Sequence, residues 1–227
     1  MNVLMNALAG SMCLAGAATA EIRLEVKFSS DGGATWSSDV DGFRFRTQGA
    51  IFMSGFGLDA WGLGGATLRL RATGLAATDS IVFAEGTSTG RVGPFNFGAA
   101  TNAIYQDGSG SWRIDAASDA SNTNDSAGLT FFQRDPASAG SVFSRQNPAM
   151  VFRFDVLASD FFERSLRFEL DQLSRGVATY YSSSSATRPT QTSDVLRAGG
   201  GIHFGVPTPG SFAALLSGLV IMASRRR

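Results

Sequence analysis

The chain has 227 residues, 44% apolar, 17% charged and 11% aromatic, a mix that excludes a disordered tail, a collagen-like rod and a polytopic membrane protein. Nineteen basic residues balance nineteen acidic ones, so no charge excess marks a nucleic-acid binder. One Cys and one His exclude a disulfide scaffold and a zinc site built from Cys and His clusters.

Residues 1–20 read MNVLMNALAGSMCLAGAATA and hold no charged side chain. The apolar stretch ends in Ala18-Thr19-Ala20, the small-x-small pattern a signal peptidase accepts, and Glu21 then opens a charged, alternating segment. The reading is a secretory signal helix cleaved between Ala20 and Glu21; a buried N-terminal helix is the alternative. Cys13 falls inside the signal, and Ser11-Met12 before it is a poor lipoprotein box, so the mature chain carries no thiol.

Residues 21–205 read as one domain. Removing the terminal arginines leaves sixteen basic residues against nineteen acidic ones, a slight negative excess. Period-two alternation recurs. Ile22, Leu24, Val26 and Phe28 face one way, with Arg23, Glu25 and Lys27 opposite. Phe43 and Phe45 alternate with Arg44 and Arg46, and Leu68 and Leu70 with Arg69 and Arg71. Phe152, Phe154 and Val156 alternate with Arg153 and Asp155; Leu166, Phe168 and Leu170 alternate with Arg167, Glu169 and Asp171. Each pattern predicts a strand with one buried and one wet face. Residues 81–84, 129–133, 177–182 and 201–206 are shorter strand candidates. Asp31-Gly32-Gly33, Asp107-Gly108 and Gly199-Gly200-Gly201 supply turn chemistry. The best helical turn is 158–165, where Asp160 and Glu163 have capping-box spacing. The expectation is an all-β, antiparallel two-sheet sandwich of jelly-roll type, its core supplied by the eighteen Phe of the chain.

Ser29-Ser30-Asp31-Gly32-Gly33-Ala34-Thr35-Trp36 fits S-x-D-x-G-x-T-W and resembles the Asp-box of sialidases and other β-propellers. Propellers carry the motif several times, and here it occurs once. The expected roles of Ser29, Asp31, Gly33, Thr35 and Trp36 are therefore those of a structural turn: Asp31 accepts backbone N–H bonds, Gly33 permits the bend, and Trp36 packs back.

The body offers no catalytic motif and calls for no cofactor. Asp115, Asp119 and Asp125, with Asn122 and Asn124, put hard oxygen ligands in or beside one polar loop and are a candidate for Ca²⁺. Their spacing lacks the EF-hand pattern, and a solvated loop is the simpler reading. His203 is the only imidazole, with no nucleophile motif beside it in sequence. Gly62, Gly64 and Gly65 do not open a helix, so they make a poor phosphate cradle. Arg outnumbers Lys fifteen to one in the body, and several arginines fall on wet strand faces. Guanidiniums there suit either anionic polysaccharide or cross-strand carboxylates.

The last 22 residues have three parts in order: Val206-Pro207-Thr208-Pro209-Gly210, an apolar run from Ser211 to Ser224, and Arg225-Arg226-Arg227. The prolines hold an extended segment. The apolar run is a short transmembrane helix candidate, and the arginines stay on the cytoplasmic side. At 14 residues it falls short of the roughly 20 of a full span, which suits a transient anchor. This tail resembles the PEP-CTERM sorting signal in its V-P-x-P-G variant, similar to tails of planctomycete exported proteins, with Thr208 in place of the acid. The resemblance implies recognition by an exosortase, cleavage near the prolines, and delivery to the cell surface or an extracellular matrix.

The sequence thus predicts a signal peptide (1–20), a β-sandwich (21–205) and a sorting tail (206–227). The expected function is that of an exported, non-catalytic surface or matrix protein. Its partners would be signal peptidase, an exosortase-like enzyme, the membrane before processing, and extracellular polysaccharide. The alternative is a carbohydrate-binding module or a secreted glycan hydrolase. Exposed Trp61 or Trp112 in an open groove would mark the first, and paired carboxyls in a cleft the second.

Overall fold

A strand that is apolar on one side needs a second layer to bury that side, and alternating segments over most of a chain need two sheets. The computed structural model shows that arrangement. It describes residues 21–205 except 43–44, 58–60, 88, 100, 108–109, 122–126, 140–141, 161 and 175. The segments read above as a signal and a sorting tail, and with them Ala18, Ala20, Val206–Gly210 and Arg225–Arg227, lie outside the described residues.

Among the described residues, fourteen strands and one short helix follow in chain order. They are β1 (Glu21–Ser29), β2 (Asp39–Asp41), β3 (Arg46–Phe56), β4 (Gly62–Thr73), β5 (Ser80–Phe83), β6 (Asn102–Gln106), β7 (Trp112–Ala116) and β8 (Leu129–Phe132). Then come α1 (Pro136–Ala139), β9 (Ala149–Leu157), β10 (Arg164–Asp171), β11 (Ala178–Tyr181), β12 (Thr190–Thr192), β13 (Val195–Ala198) and β14 (Gly200–Phe204). Five strands form one sheet in the order β13-β1-β3-β9-β5. The larger sheet runs β12-β11-β4-β10-β14-β2, with β6, β7 and β8 joined to it through β4. Most pairs are antiparallel, but β1–β13 and β14–β2 are parallel, so the sandwich is mixed at one edge of each sheet. Among the described residues no helix is long and apolar enough to cross a membrane.

The core lies between the sheets. Ile22, Leu24, Val26 and Phe28 of β1 are all buried, as are Phe152, Phe154 and Val156 of β9 and Leu166 and Phe168 of β10. Phe28 and Phe154 from one sheet meet Phe168 from the other, with ring centroids 4.8 and 5.7 Å from it. A buried Phe side chain contributes about 2–3 kcal/mol, so this trio is a main bond between the layers. Gly49 of β3 makes room for it: a Cβ there would overlap the Phe154 ring.

Strand β4 is the hub of the larger sheet. Its first half pairs β11 and β8, and its second half pairs β10 and β7. Gly64 and Gly65 permit the crowding of the first half. A Cβ at Gly65, whose φ is +154, would overlap the Phe131 carbonyl oxygen, and one at Gly64 would overlap the Thr179 hydroxyl. These glycines serve close strand packing rather than a phosphate.

Three local expectations need correction. The segment 158–165 is not a helical turn. Asp160 accepts the Phe162 N–H at 3.2 Å and pairs with Arg164, and that residue already begins β10. The ion pair takes the carboxylate that capping would have used. The helix among the described residues is α1, where the Asp135 carboxylate accepts the Ser138 N–H at 2.8 Å. In the pattern around Phe45, β3 begins only at Arg46 and Phe45 is exposed, while Phe43 and Arg44 lie outside the described residues. Arg69, expected on a wet face, is buried; its covering is described next.

Candidate functional site

The outer face of the larger sheet gathers most of the polar residues of interest. Because side chains alternate, the register decides which of them share that face. Asp39 and Asp41 of β2 lie beside Gly201 and His203 of β14, which lie beside Arg167 and Ser165 of β10. Beyond these come Arg71 of β4, Arg113 of β7 and Tyr105 of β6. Six strands at about 4.8 Å spacing give a polar face roughly 24 Å wide. It has two shallow depressions.

The first, about 370 Å³, is lined by Arg71, Thr73, Tyr105, Asp107 and Arg113, among others. Its floor is an ion cluster. The Arg69 Nε donates to Asp115 Oδ2 at 2.5 Å, and its Nη2 to Asp119 Oδ2 at 3.1 Å. Arg113 Nη1 donates to the same Asp115 oxygen at 2.9 Å, and its Nη2 to the carbonyls of Asp119 and Ala120 at 2.7 and 2.8 Å. Arg69 is 4% exposed and Asp115 is fully buried, so neither charge is tolerable without the other. The Arg113 guanidinium also lies 4.3 Å over the Tyr105 ring. Two guanidiniums thus occupy the carboxylates that the sequence offered to Ca²⁺. Asp115 and Asp119 pin the start of the 116–128 loop to the sheet, while Asn122, Asn124 and Asp125 lie outside the described residues. Among the described residues no three His, Cys, Asp or Glu side chains gather as a metal site.

The second depression, about 550 Å³, runs over Gly199–Gly201 between Asp39 and His203 on one side and Arg167 and Glu169 on the other. Here the fold makes a juxtaposition that sequence spacing hid. Ser165 Oγ lies 2.9 Å from His203 Nδ1, and Asp39 Oδ1 lies 3.8 Å from Nε2. The row follows from pairing, since Ser165 is the cross-strand partner of His203. It has the composition of a nucleophilic triad but not its setting. All three side chains are exposed to water, whereas electrostatic catalysis of acyl transfer depends on a water-excluded site, and the Asp39 contact at 3.8 Å is beyond hydrogen-bond length.

The Asp-box residues form their turn between β1 and β2, away from both depressions. Asp31 Oδ1 accepts the N–H groups of Ala34 and Thr35, both at 3.0 Å. Hydroxyls of Ser29 and Thr35 each donate to the carboxylate at 2.6 Å. Four donors on an anion hold the Asp31 carboxyl well below the usual carboxylate range, the Ser29 hydroxyl contributing most. Gly33 adopts φ +94, and the Trp36 Nε1 donates to its carbonyl at 3.1 Å while the indole meets Phe52.

Neither candidate tryptophan offers an open platform. Trp61 has the Arg145 guanidinium at 4.8 Å and the Phe143 ring at 4.9 Å. Trp112 pairs with Ala72 and is half-buried against the core, although it is also one of the residues that line the first depression. The aromatic ring on the polar face is Tyr105, a residue the sequence reading passed over. The five-residue run Trp112–Ala116 does alternate, which was the available sign of a strand carrying Arg113 and Asp115 outward. Asp79 was also passed over. It is buried, accepts the amides of Ala76 and Ser159 at 2.7 and 2.9 Å, and takes Arg164 at 2.8 Å.

No protein-family model and no curated protein matches the chain. Among solved structures it is similar to the seventh ScaB type I cohesin from Pseudobacteroides cellulosolvens, with 9% identity, 83% of this chain and 96% of that chain covered, and a TM-score of 0.41. A type II cohesin domain from the cellulosome of Acetivibrio cellulolyticus is similar at 10% identity, with coverage of 81% and 95% and a TM-score of 0.41. Both likenesses are loose.

Proposed function

We propose that the chain is an exported, non-catalytic protein of the cell surface or extracellular matrix. Residues 1–20 direct secretion and leave at Ala20. Residues 206–227 hold the precursor briefly in the membrane for an exosortase-like enzyme, and the β-sandwich is the part that persists. The observation that carries this reading is the pair of addresses at the two ends: a small-x-small site before Glu21, and V-P-T-P-G, an apolar run and three arginines at 206–227. The body supports it. Its buried carboxylates Asp79, Asp115, Asp119 and Asp155 all engage arginines, so none stands ready as an acid or base.

Intact mass of the protein recovered from its own cells tests this. The expected species begins at Glu21 and lacks the residues beyond the proline motif. A species running from Met1 to Arg227 in the cytosol overturns the proposal.

A saccharide partner is the second reading, favoured by the depression at Arg71, Tyr105 and Arg113. The half-exposed Arg71 guanidinium is paired with Asp171, and a carboxylate or sulfate on a sugar ring would share or replace that partner. Titration with acidic oligosaccharides should shift NMR signals of the lining residues, and Arg71→Ala should remove the shifts. Unmoved signals dispose of this reading.

A further inference from the structure

Exposed apolar side chains occur singly on most proteins, but a cluster at one functional end calls for an explanation. Phe162 is 77% exposed and Phe45 63%, more than any other aromatic ring among the described residues. They sit at the same pole of the sandwich. The Phe45 carbonyl accepts the Ala158 N–H at 2.9 Å, and residues 158–164 carry Phe162. Arg164, at the end of that segment, pairs with Phe204, the last residue of β14, and its guanidinium lies 4.8 Å over the Phe204 ring. The chain therefore leaves the sandwich beside these two rings. Glu21 lies at the other pole, since it pairs with Phe56 while Arg46 pairs with Leu157. The eleven residues of β3 separate the poles by about 35 Å at 3.3 Å per residue.

The distance to the tail's apolar run is short. Five residues, Val206–Gly210, connect Gly205 to Ser211. Fully extended they span at most about 18 Å. Resting on the tail reading above, we infer that in the precursor the Phe45/Phe162 pole docks on the bilayer and sinks both rings into its interfacial layer. A body tethered that closely cannot turn this pole far from the lipid, and aromatic rings are suited to the headgroup boundary. Arg46 is paired with Asp155 at 2.8 Å, and Arg164 with Asp79 at 2.8 Å, while the exposed carboxylates of Glu163 beside Phe162 and Glu85 beside Arg46 stay in the headgroup water when the rings enter. Docking holds the Pro207-Thr208-Pro209 segment at the membrane surface, where a membrane-embedded sorting enzyme must meet it.

The test uses the signal-cleaved precursor, residues 21–227, which has no cysteine of its own, so that a single introduced cysteine can carry a fluorophore. Labels are placed at Phe162→Cys and, as the far-pole control, at Phe56→Cys, which is 52% exposed. The proteins are reconstituted into vesicles of phosphatidylcholine and phosphatidylglycerol containing lipids brominated near the headgroup. The expected result is co-flotation with vesicles and several-fold stronger quenching at 162 than at 56. Co-flotation with equal quenching at both poles overturns the docking and leaves the tail reading standing. Failure to float overturns the tail reading and the docking with it. The variant Phe45→Ser/Phe162→Ser with a label at Thr78→Cys, on the same pole, should float but lose quenching; unchanged quenching shows the rings are not what docks. Both rings are exposed, so this variant should melt like the parent.

Discussion

At the scale of single residues, the most consequential groups are carboxylates whose partners are already supplied. Asp115 is fully buried beneath Arg69 and Arg113, and removing one member leaves a charge in low dielectric. Asp115→Asn should lower unfolding stability by about 3–5 kcal/mol in urea titration. Asp171→Asn, which breaks a partly exposed pair with Arg71, should cost less than about 1 kcal/mol. Asp31 makes a pH-dependent contribution. Its folded-state proton affinity is lowered, so its stabilisation is complete above the ordinary carboxylate range and fades as pH falls below about 4. The stability gap between the parent and Asp31→Ala should therefore be largest near neutrality and shrink toward pH 2, as followed by thermal melts. A gap independent of pH would place the effect in the turn's backbone instead.

At the scale of elements, β4 shows how glycine can decide a sheet. Four strands converge on its length, and Gly65 lies where the Phe131 carbonyl comes closest. Gly65→Ala combines a strained φ with a steric overlap and should cost about 2 kcal/mol or more. Gly86→Ala, also at positive φ but with open space around its Cβ, should cost less. The two variants, compared in one denaturant series, separate backbone strain from crowding. The β10–β14–β2 row carries a different lesson. Pairing alone brings Ser165 to His203, yet it leaves both side chains on the water-exposed face.

At the scale of the whole molecule, the sandwich sends its two termini out at opposite poles. Glu21 begins β1 beside Phe56, and Gly205 leaves β14 beside Arg164. Removal of a leader at one pole and processing of a tail at the other would therefore leave the core untouched. Pro207→Ala together with Pro209→Ala should block tail processing, seen as retention of the C-terminal residues in intact mass. The melting temperature of the body should not change.

Much of this molecule was legible locally. The alternation in β1, β9 and β10 identified buried and wet faces because a strand's period is a property of adjacent residues. The Asp31 turn could be read for the same reason, since its hydrogen bonds span at most four positions. The short strands β2, β6, β7, β12 and β13 escaped, because three to five residues carry too little period to stand out, and β3 escaped beyond Arg46 because its run Gly49-Ala50-Ile51-Phe52-Met53 does not alternate.

What the sequence by itself determined is the strand-rich body and its Phe core; the proposed export rests on readings of the two terminal segments. Only the tertiary structure decided that Arg69 is buried, that Asp115 and Asp119 serve guanidiniums, and that Phe45 and Phe162 lie at the same pole. The reason is separation along the chain. Arg69 finds its carboxylates 46 and 50 residues away, and no local pattern encodes a partner at that distance until the sheets have paired.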